Sequence, residues 1–531
     1  LVHLSRDAGQ SWEVVTPPDL PDWALISIIE PSPHDPAVAY IAATRYKLDD
    51  YRPYLYKTAD YGESWIGITA GIGAGDFTRV IREDPQRRGL LYAGTETGVY
   101  VSFDDGGLWQ RVGGDFPIVP VYDLLRKDDD LVVATHGRSF WILDDVVLLH
   151  QLLAPDAGET GQTRLFRPAD AIRRLGSLSS DEDRVGIDYG YAGPLVYGYR
   201  PQRRPDGSIR KIPLDAGLNP DSGVCVSYFL EEPAPDRVTL RFLTGSGDEM
   251  RSFDSRPGAV APPVAGEAAT LDLEEEALNL GLEGEEGESS HALLARQIEA
   301  EQAPVVPNAP GLNRFAWDMR CSPAVAVADE KSIEAALLAG PTVLPGPYQV
   351  ELSVGDQRHL QAFEIRSDPG LTISPDQQRA QFQLLTSINT ALNETNAAIN
   401  GLRDVRSQLD AWEKRLQSRP RNPESAGESN NTPIASLRRL RSRLNAIEDR
   451  LTRTEPDTGL HYTAELRLSG KLAALKAAVD FTDAAPTTQA FEVYSELSSR
   501  IDEQLAALRG LLDSDLADLN QLLRDEVAIS V

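Results

Sequence analysis

Three residues among the first 150 have side chains that could transfer protons and lie at the ends of predicted strands. Glu83 lies in the segment IREDP, Glu96 in GTETG and His136 in ATHGRSFW. Two carboxylates can supply the acid and base of glycoside hydrolysis, about 5–5.5 Å apart for retention or about 6.5–9.5 Å for inversion. Glu83, Glu96 and His136 are therefore the candidate catalytic residues. A turn before a strand and an exposed hairpin position are the competing interpretations of the two glutamates.

Three arginines, Arg45, Arg82 and Arg138, lie near predicted strand ends and are the candidate ligand-binding residues. An arginine fork binds a carboxylate through two parallel hydrogen bonds, and a sialidase needs three such arginines around its substrate. The spacing of these three indicates no triad, so sialidase activity is not favoured. His136 and Arg138 could still bind an anionic or sugar group at a channel mouth. Alternatively, His136 packs between strands and donates to a backbone carbonyl.

A repeated turn motif identifies the elements that must position these residues. SRDAGQSW (5–12), TADYGESW (58–65) and SFDDGGLW (102–109) all read Ser/Thr-x-Asp-x-Gly-x-x-Trp. The glycine tolerates the positive φ of a tight turn, and the aspartate can accept backbone N–H groups within it. The tryptophan is expected to cover the space between neighbouring sheets. The structural positions are Asp7, Gly9, Trp12, Asp60, Gly62, Trp65, Asp104, Gly106 and Trp109.

This Asp-box motif recurs at about the 45–50-residue spacing of a four-stranded propeller blade. A degenerate copy, DLVVATHGRSFWILDD (130–145), lacks the glycine–tryptophan half of the motif. The sequence therefore predicts that residues 1–150 form the C-terminal blades of an Asp-box β-propeller. We expect further blades upstream of Leu1.

The middle of the chain has a different pattern. Residues 160–220 are rich in Arg, Gly, Pro and Tyr without a clear period, and we interpret 151–220 as a connector. Segments such as VCVSYFL and RVTLRFL alternate apolar and polar residues, which predicts a β-sandwich over 221–368. A strongly acidic stretch at about 255–305 interrupts the alternation. Its charge density predicts a solvated insertion.

From residue 369 to 531 the apolar period changes to that of helices. Ser374, Pro375 and Gln377 have the spacing of a capping box with proline in the first helical position. Apolar stripes then predict one long helix and several shorter ones. An up-and-down α-helical bundle is the expected solution for such stripes, and the same helices could support a homo- or hetero-oligomer.

Composition limits the classes of partner. The chain has 52 basic and 81 acidic residues, a formal charge of −29, which argues against a nucleic-acid partner. No apolar run reaches the ~20 residues of a membrane span. The sequence contains no H-E-x-x-H, G-x-S-x-G or P-loop motif, so we predict no metal and no cofactor. Cys225 and Cys321 could form one bridge or remain two thiols.

Several long segments resemble a known family. VIREDPQRRGLLYAGTETGVYVSFDDGGLW (80–109), LVVATHGRSFWILDD (131–145), GLNRFAWDMR (311–320) and PGPYQVELSV (345–354) are similar to bacterial Asp-box (BNR-repeat) proteins. Those proteins are labelled glycosyl hydrolases or sortilin/Vps10-like proteins. The resemblance implies a multidomain, mainly β protein with a propeller, an Ig-like sandwich of the FlgD type and a helical tail. It also implies a secreted, periplasmic or cell-surface location.

Three functional hypotheses follow. The first is an exported recognition or scaffold protein whose propeller face binds a carbohydrate or polypeptide, because no complete catalytic constellation stands out. The second is an exo-acting glycoside hydrolase with its acid and base in the propeller cleft. The third is a structural subunit of a cell-envelope assembly. A shared fold does not decide among them.

Overall fold

A computed structural model describes most of the chain. The described residues are 1–114, 116–152, 163–173, 199–203, 209–213, 223–232, 237–255, 304–327, 338–417, 433–452 and 466–527. The chain divides into two compact units, Leu1–Gln162 and Thr163–Val531. It is mainly β, with several sheets and a C-terminal helical region. Most of the predicted acidic insertion lies outside the described residues.

The described residues of the first unit form four antiparallel sheets in chain order. The first is a hairpin of β1 (His3–Leu4) and β2 (Glu13–Val14). The second contains β3 (Leu25–Pro31), β4 (Ala39–Arg45), β5 (Asp50–Thr58) and β6 (Ile66–Gly67). The third contains β7 (Thr78–Glu83), β8 (Leu91–Thr95), β9 (Val99–Ser102) and β10 (Trp109–Arg111). The fourth contains β11 (Val121–Lys127), β12 (Asp130–Thr135) and β13 (Phe140–Leu143), and helix α1 (Val147–Leu152) follows it. In each of the last three sheets, sequential strands are neighbours.

Apolar side chains fill the space between consecutive sheets. Along β4, Tyr40 and Ala42 pack toward the third sheet, whereas Ile41 and Ala43 pack toward the hairpin. This two-residue alternation places buried side chains on both faces of the strand. A further apolar layer separates the third sheet from the fourth. The sheets therefore repeat face to face, which is the arrangement expected of successive propeller blades.

Each Asp box forms the turn between two strands of one sheet, at the end of the sheets that we call the box end. In the second box, Asp60 Oδ1 accepts from Ser64 N at 2.9 Å, and Thr58 Oγ1 accepts from Gly62 N at 2.8 Å. The other two boxes contain the same pair of contacts. The three glycines have φ of 90°, 86° and 89°, so the turn geometry repeats with the sequence.

The boxes also join each sheet to the preceding one. The indole of Trp65 donates to Val15 O, and that of Trp109 donates to Ile68 O, both at 2.7 Å. A Cβ on Gly106 would lie 2.8 Å from the side chain of Ile68. Trp12, in the first box, is 62% exposed. The box is therefore a packing device as well as a turn.

Where the structure describes the second unit, its strands form two larger sheets. One has the order β14 (Arg164–Leu165), β18 (Val224–Leu230), β21 (Gly311–Trp317). The other has the order β15 (Ala171–Arg173), β23 (Gln357–Ser367), β22 (Gly346–Val354), β19 (Val238–Thr244), β20 (Glu249–Asp254). A separate hairpin pairs β16 (Tyr199–Arg203) with β17 (Ile209–Pro213). Trp317 stacks on Phe242 with ring centres 4.3 Å apart, which joins the two larger sheets through their core.

Part of the predicted connector belongs to these sheets. Residues 164–165 pair with β18 in the antiparallel sense. Residues 171–173 pair with β23 in the parallel sense. Two- and three-residue strands are too short to produce a detectable alternation in the sequence.

Cys225 and Cys321 are both free thiols.

The helical region follows the predicted stripes. It contains α2 (Pro375–Gln417), α3 (Pro433–Leu451), α4 (Leu468–Asp480), α5 (Thr488–Gly510) and α6 (Leu516–Val527), with one π-helical turn at Leu511–Asp515. The predicted capping box is present: Ser374 N donates to Gln377 Oε1 at 2.9 Å, and Gln377 N donates to Ser374 Oγ at 3.3 Å. Among the described helices, none combines the length and apolar character needed to cross a membrane.

A buried polar junction joins the helices to the larger sheets within the second unit. Arg320 pairs with Asp480 at 2.6 Å, and Arg173 pairs with Asp483. Lys476 Nζ donates to Asn389 Oδ1 at 2.7 Å. Four asparagines along α2 also bond the backbone of residues 322–326; they are Asn389, Asn393, Asn396 and Asn400.

Candidate functional site

Two of the predicted catalytic residues, Glu83 and Glu96, lie beside opposite ends of β7. Glu83 is the last residue of β7, whereas Glu96 N donates to Phe77 O, just before β7 begins. A strand rises about 3.3 Å per residue, so roughly 16 Å of strand separates the two levels. The structure therefore does not bring Glu83 and Glu96 together as an acid–base pair.

Glu83 is buried at the box end, where its Oε1 accepts from Gly89 N at 2.9 Å. The adjacent Asp84 is completely enclosed. One Asp84 oxygen accepts from two backbone N–H groups, and the other receives Tyr92 OH, Arg126 Nε and His150 Nε2, each at 3.0 Å. Burial acts to raise the pKa of Asp84, but these partners outweigh it and hold the pKa far below its ordinary value. Residues of this chain therefore fill the hydrogen-bonding capacity of the Asp84 carboxylate.

Two of the predicted ligand-binding arginines are also occupied. Arg82 lies on β7 and pairs with Glu30 at 2.8 Å and Asp123 at 2.7 Å, so it links the first strands of three consecutive sheets. Arg45 pairs with Asp50 at 2.9 Å. The Arg52 hydrogen bond is the main cause of a lowered pKa at Asp50. Arg45 and Arg82 therefore stabilise the fold through these ion pairs.

A β-bulge occurs at the same place in the first strand of each of the last three sheets. The register shifts between Ile26 and Ile28, between Thr78 and Val80, and between Val121 and Asp123. The extra residues are Ser27, Arg79 and Tyr122. All three lie at the end opposite the boxes, which we call the connection end because each sheet is joined to the next there. Bulges re-aim side chains and are common beside functional sites.

The three bulge residues contact one another in series. Ser27 Oγ donates to Arg79 O, and the guanidinium carbon of Arg79 lies 4.2 Å from the ring centre of Tyr122. Phe77 and Tyr46 stack on each other and approach the same guanidinium at 4.9 Å and 5.3 Å. Aromatic rings therefore hold the plane of Arg79 from several sides.

Glu96 completes this arrangement. Its Oε2 accepts from Arg79 Nε at 3.0 Å and from Nη2 at 2.6 Å, while the carboxylate stays partly exposed. His136 stacks on Tyr122 with ring centres 5.1 Å apart. Arg138, in the same turn as His136, is exposed. We call the following set the bulge cluster: Ser27, Tyr46, Phe77, Arg79, Glu96, Tyr122 and His136.

The bulge cluster therefore contains two of the predicted catalytic residues, Glu96 and His136, together with an arginine that the sequence did not single out. Its geometry suits binding. Exposed Tyr122 and His136 present aromatic surface, and Arg79 and Glu96 present a fixed pair of charges. Oε2 of Glu96 is engaged by two donors of Arg79, which suits a fixed pair of charges more than proton transfer. Across the part of the chain that the structure describes, no three His, Cys, Asp or Glu residues form a group that could hold a metal ion.

Comparison with known proteins yields remote structural likeness only. No family model and no curated protein matches the sequence. Among solved structures, YCF48 bound to a D1 peptide shares 21% identity over 27% of this chain and 44% of its own, with a TM-score of 0.22. A GH74 enzyme of Niastella koreensis shares 12% identity over 39% of this chain and 34% of its own, with a TM-score of 0.19. A GH74 xyloglucanase of Xanthomonas campestris shares 17% identity over 38% and 35%, with a TM-score of 0.18. The chain thus spans less than half the length of each of these proteins, and likeness at such TM-scores gives no ground for transferring an activity to it.

Proposed function

We propose that this chain is an exported recognition or scaffold protein that binds a carbohydrate or polypeptide ligand at the connection end of its first unit. In this proposal the repeated sheets are blades of an Asp-box β-propeller. The sheets of the second unit are an Ig-like sandwich of the FlgD type, and the helices support docking or assembly. The observation that carries the proposal is the contact series Ser27–Arg79–Tyr122, which three equivalent bulges create on three consecutive sheets.

The charges of the cluster favour binding over hydrolysis. Asp50 and Asp76 lie near the same end, but each accepts hydrogen bonds from its own surroundings. Asp76 accepts from Thr97 N at 3.1 Å, Thr97 Oγ1 at 2.7 Å and Tyr100 OH at 3.0 Å. Together with the Glu96–Arg79 pair, these contacts fix charges in place, which suits a preorganised binding surface.

The test is a binding screen with the full chain on glycan and peptide arrays. Arg79→Ala should abolish whatever binding the wild type shows, because it removes the charge and leaves the aromatic rings without their common partner. Arg88→Ala is the matched control, since Arg88 is an exposed, ion-paired arginine at the box end. Binding that survives Arg79→Ala, or that falls equally in Arg88→Ala, would contradict the proposal.

Glu96→Gln separates binding from catalysis. If the site only binds, this variant should keep ligand affinity within a few-fold, because the amide can still accept from Arg79. If Glu96 is an acid or base, turnover of a bound glycan should fall by about a hundredfold or more. Turnover by the wild type that disappears in Glu96→Gln would replace recognition with the hydrolase hypothesis.

A further inference from the structure

Trp23 is an exposed tryptophan in a strained turn at the connection end. Ala24 N donates to Pro21 O at 3.2 Å, so Trp23 occupies the third position of a four-residue turn. Its φ is 65°, a value usually taken by glycine or asparagine at that position, and its side chain is 88% exposed. A bulky residue at positive φ costs stability, and such strain tends to be kept where it serves a function.

The bulges identify the counterparts of Trp23 in the neighbouring sheets. Trp23 lies four residues before the bulge residue Ser27, and Gly75 and Ile118 lie four residues before Arg79 and Tyr122. Ile118 is 80% exposed, and a Cβ built on Gly75 would have open space around it. Three consecutive loops thus carry, at the same position, a large apolar side chain, no side chain and another large apolar side chain. Counted from the bulge, Gly75 therefore has no side chain at the position where the loops before and after it carry exposed apolar ones.

We propose that a neutral polysaccharide binds along this path, with one sugar ring stacked on Trp23 and the chain crossing over Gly75 toward Tyr122. This inference rests on the proposed function and names its ligand. The C–H face of a pyranose ring is apolar and flat, and an indole offers a large rigid surface for it. Tyrosine contributes both ring surface and a hydroxyl that can bond sugar hydroxyl groups.

The charges at this end favour a neutral ligand over an anionic one. Arg79 is already paired with Glu96, and Arg45 and Arg52 both pair with Asp50. Acidic residues outnumber basic ones about two to one within residues 1–162. A polyanion would therefore meet a net negative field in which these three arginines are already paired, whereas a neutral chain is not repelled by that field.

The experiment is affinity electrophoresis of the full chain through gels containing mixed-linkage β-glucan, galactomannan or polygalacturonate. The wild type should be retarded by at least one neutral polymer and not by polygalacturonate. Trp23→Ala and Trp23→Gly should weaken retardation at least tenfold. The glycine variant should do so without a lower melting temperature, because glycine accepts this φ. Trp12→Ala is the matched control, an exposed tryptophan at the box end.

A second variant blocks the path while leaving Trp23 and the bulge cluster intact. Gly75→Leu places a side chain in open space and at an ordinary φ, so it should fold normally and weaken retardation about as much as Trp23→Ala. Unchanged retardation in Trp23→Ala or Gly75→Leu, or an equal loss in Trp12→Ala, would overturn the inference. Arg79-dependent binding of peptides or polygalacturonate alone would overturn it too, but would leave the proposed function standing. If nothing binds in any format, both fail.

Discussion

The guanidinium of Arg79 lies over the ring of Tyr122, 4.2 Å from its centre, and both residues are the extra residues of equivalent β-bulges. Arg79 belongs to the third sheet and Tyr122 to the fourth, so the contact crosses from one sheet to the next. An arginine held in this way has a fixed plane, and its Nε and Nη2 edge is directed at Glu96. The contact is therefore both a link between sheets and a prepared binding surface.

The first prediction concerns the chemistry of that link. Arg79→Lys should lose nearly as much ligand binding as Arg79→Ala, because an ammonium group keeps the charge but neither stacks on Tyr122 nor offers two parallel donors to Glu96. Binding by biolayer interferometry to the ligand found in the array screen would measure this. Arg88→Lys is the control and should bind like the wild type. A lysine variant within twofold of the wild type would show that charge alone matters.

How far the sequence predicts this molecule depends on whether the information is local. The Asp boxes repeat because each turn needs its own aspartate and glycine, and their contacts lie within about seven residues. The helix at Pro375 is likewise predictable, because its capping residues and apolar stripe are contiguous. Such features carry their physical cause in their own segment.

The bulge cluster could not be found in that way. Ser27, Arg79 and Tyr122 are three different residue types. Their separation along the sequence from the preceding box tryptophan is not constant either, because it decreases by one residue from each repeat to the next. Only strand register shows that they are equivalent. Arg82 is predicted to bind ligand because it lies near a strand end. In the structure it forms ion pairs with Glu30 and Asp123, which come from the neighbouring sheets. Contacts between sheets decide which of several arginines is available.

The second prediction concerns Asp84, whose lowered pKa links stability to pH. Its contribution is fully present above its ordinary value of 3.8 and is lost as the pH falls below that value. Asp84→Asn leaves Arg126 buried without its counter-charge, so the variant should lose about 3–5 kcal/mol at neutral pH. Hydrogen exchange of the amides of residues 84–92 measures this locally, which suits a chain of two units.

The difference between the wild type and Asp84→Asn should shrink when the same exchange is measured below pH 4, because the unfolded wild-type chain then binds a proton at Asp84 that the folded chain does not. Asp128→Asn is the control, since that side chain is 81% exposed. A difference that stays constant from pH 7 to pH 3 would show that packing around Asp84, rather than its charge, stabilises this region.

The third prediction concerns Lys476 in the junction of the second unit. Burial lowers its pKa to about 8, and the nearby Arg320 acts in the same direction while Asp480 opposes it. Below pH 8 the lysine is charged in both folded and unfolded chains, so the full free-energy cost of burying its charge is present. The cost declines as the pH rises from 8 toward the ordinary value of 10.5.

Lys476→Met should therefore stabilise the junction at pH 7. A shift of this size corresponds to about 3 kcal/mol, of which the lost hydrogen bond to Asn389 offsets about 1 kcal/mol. Exchange of the α4 amides in the variant and the wild type should differ at pH 7 and converge by pH 10. Slower exchange in the wild type at pH 7 would mean that the lysine's polar contacts outweigh its burial.

The last prediction separates the two roles of the box glycine, turn geometry and contact between sheets. Gly9 and Gly106 have φ of 90° and 89°, so alanine at either position carries the same left-handed strain, about 1–2 kcal/mol. Their surroundings differ. A Cβ on Gly106 would lie 2.8 Å from Ile68, whereas one on Gly9 would approach only Trp12, at 3.8 Å.

Gly106→Ala should therefore cost about 1–3 kcal/mol more than Gly9→Ala, because overpacking against Ile68 adds to the strain. The readout is hydrogen exchange at the equivalent amide of each box, Leu108 N for Gly106→Ala and Ser11 N for Gly9→Ala, which donate to Asp104 and Asp7 at 2.8 Å. The double variant Gly106→Ala/Ile68→Ala should recover part of the loss, since it removes the side chain that the new methyl group meets. Equal losses in the two single variants would show that the glycine serves the turn alone and that the contact between sheets tolerates a methyl group.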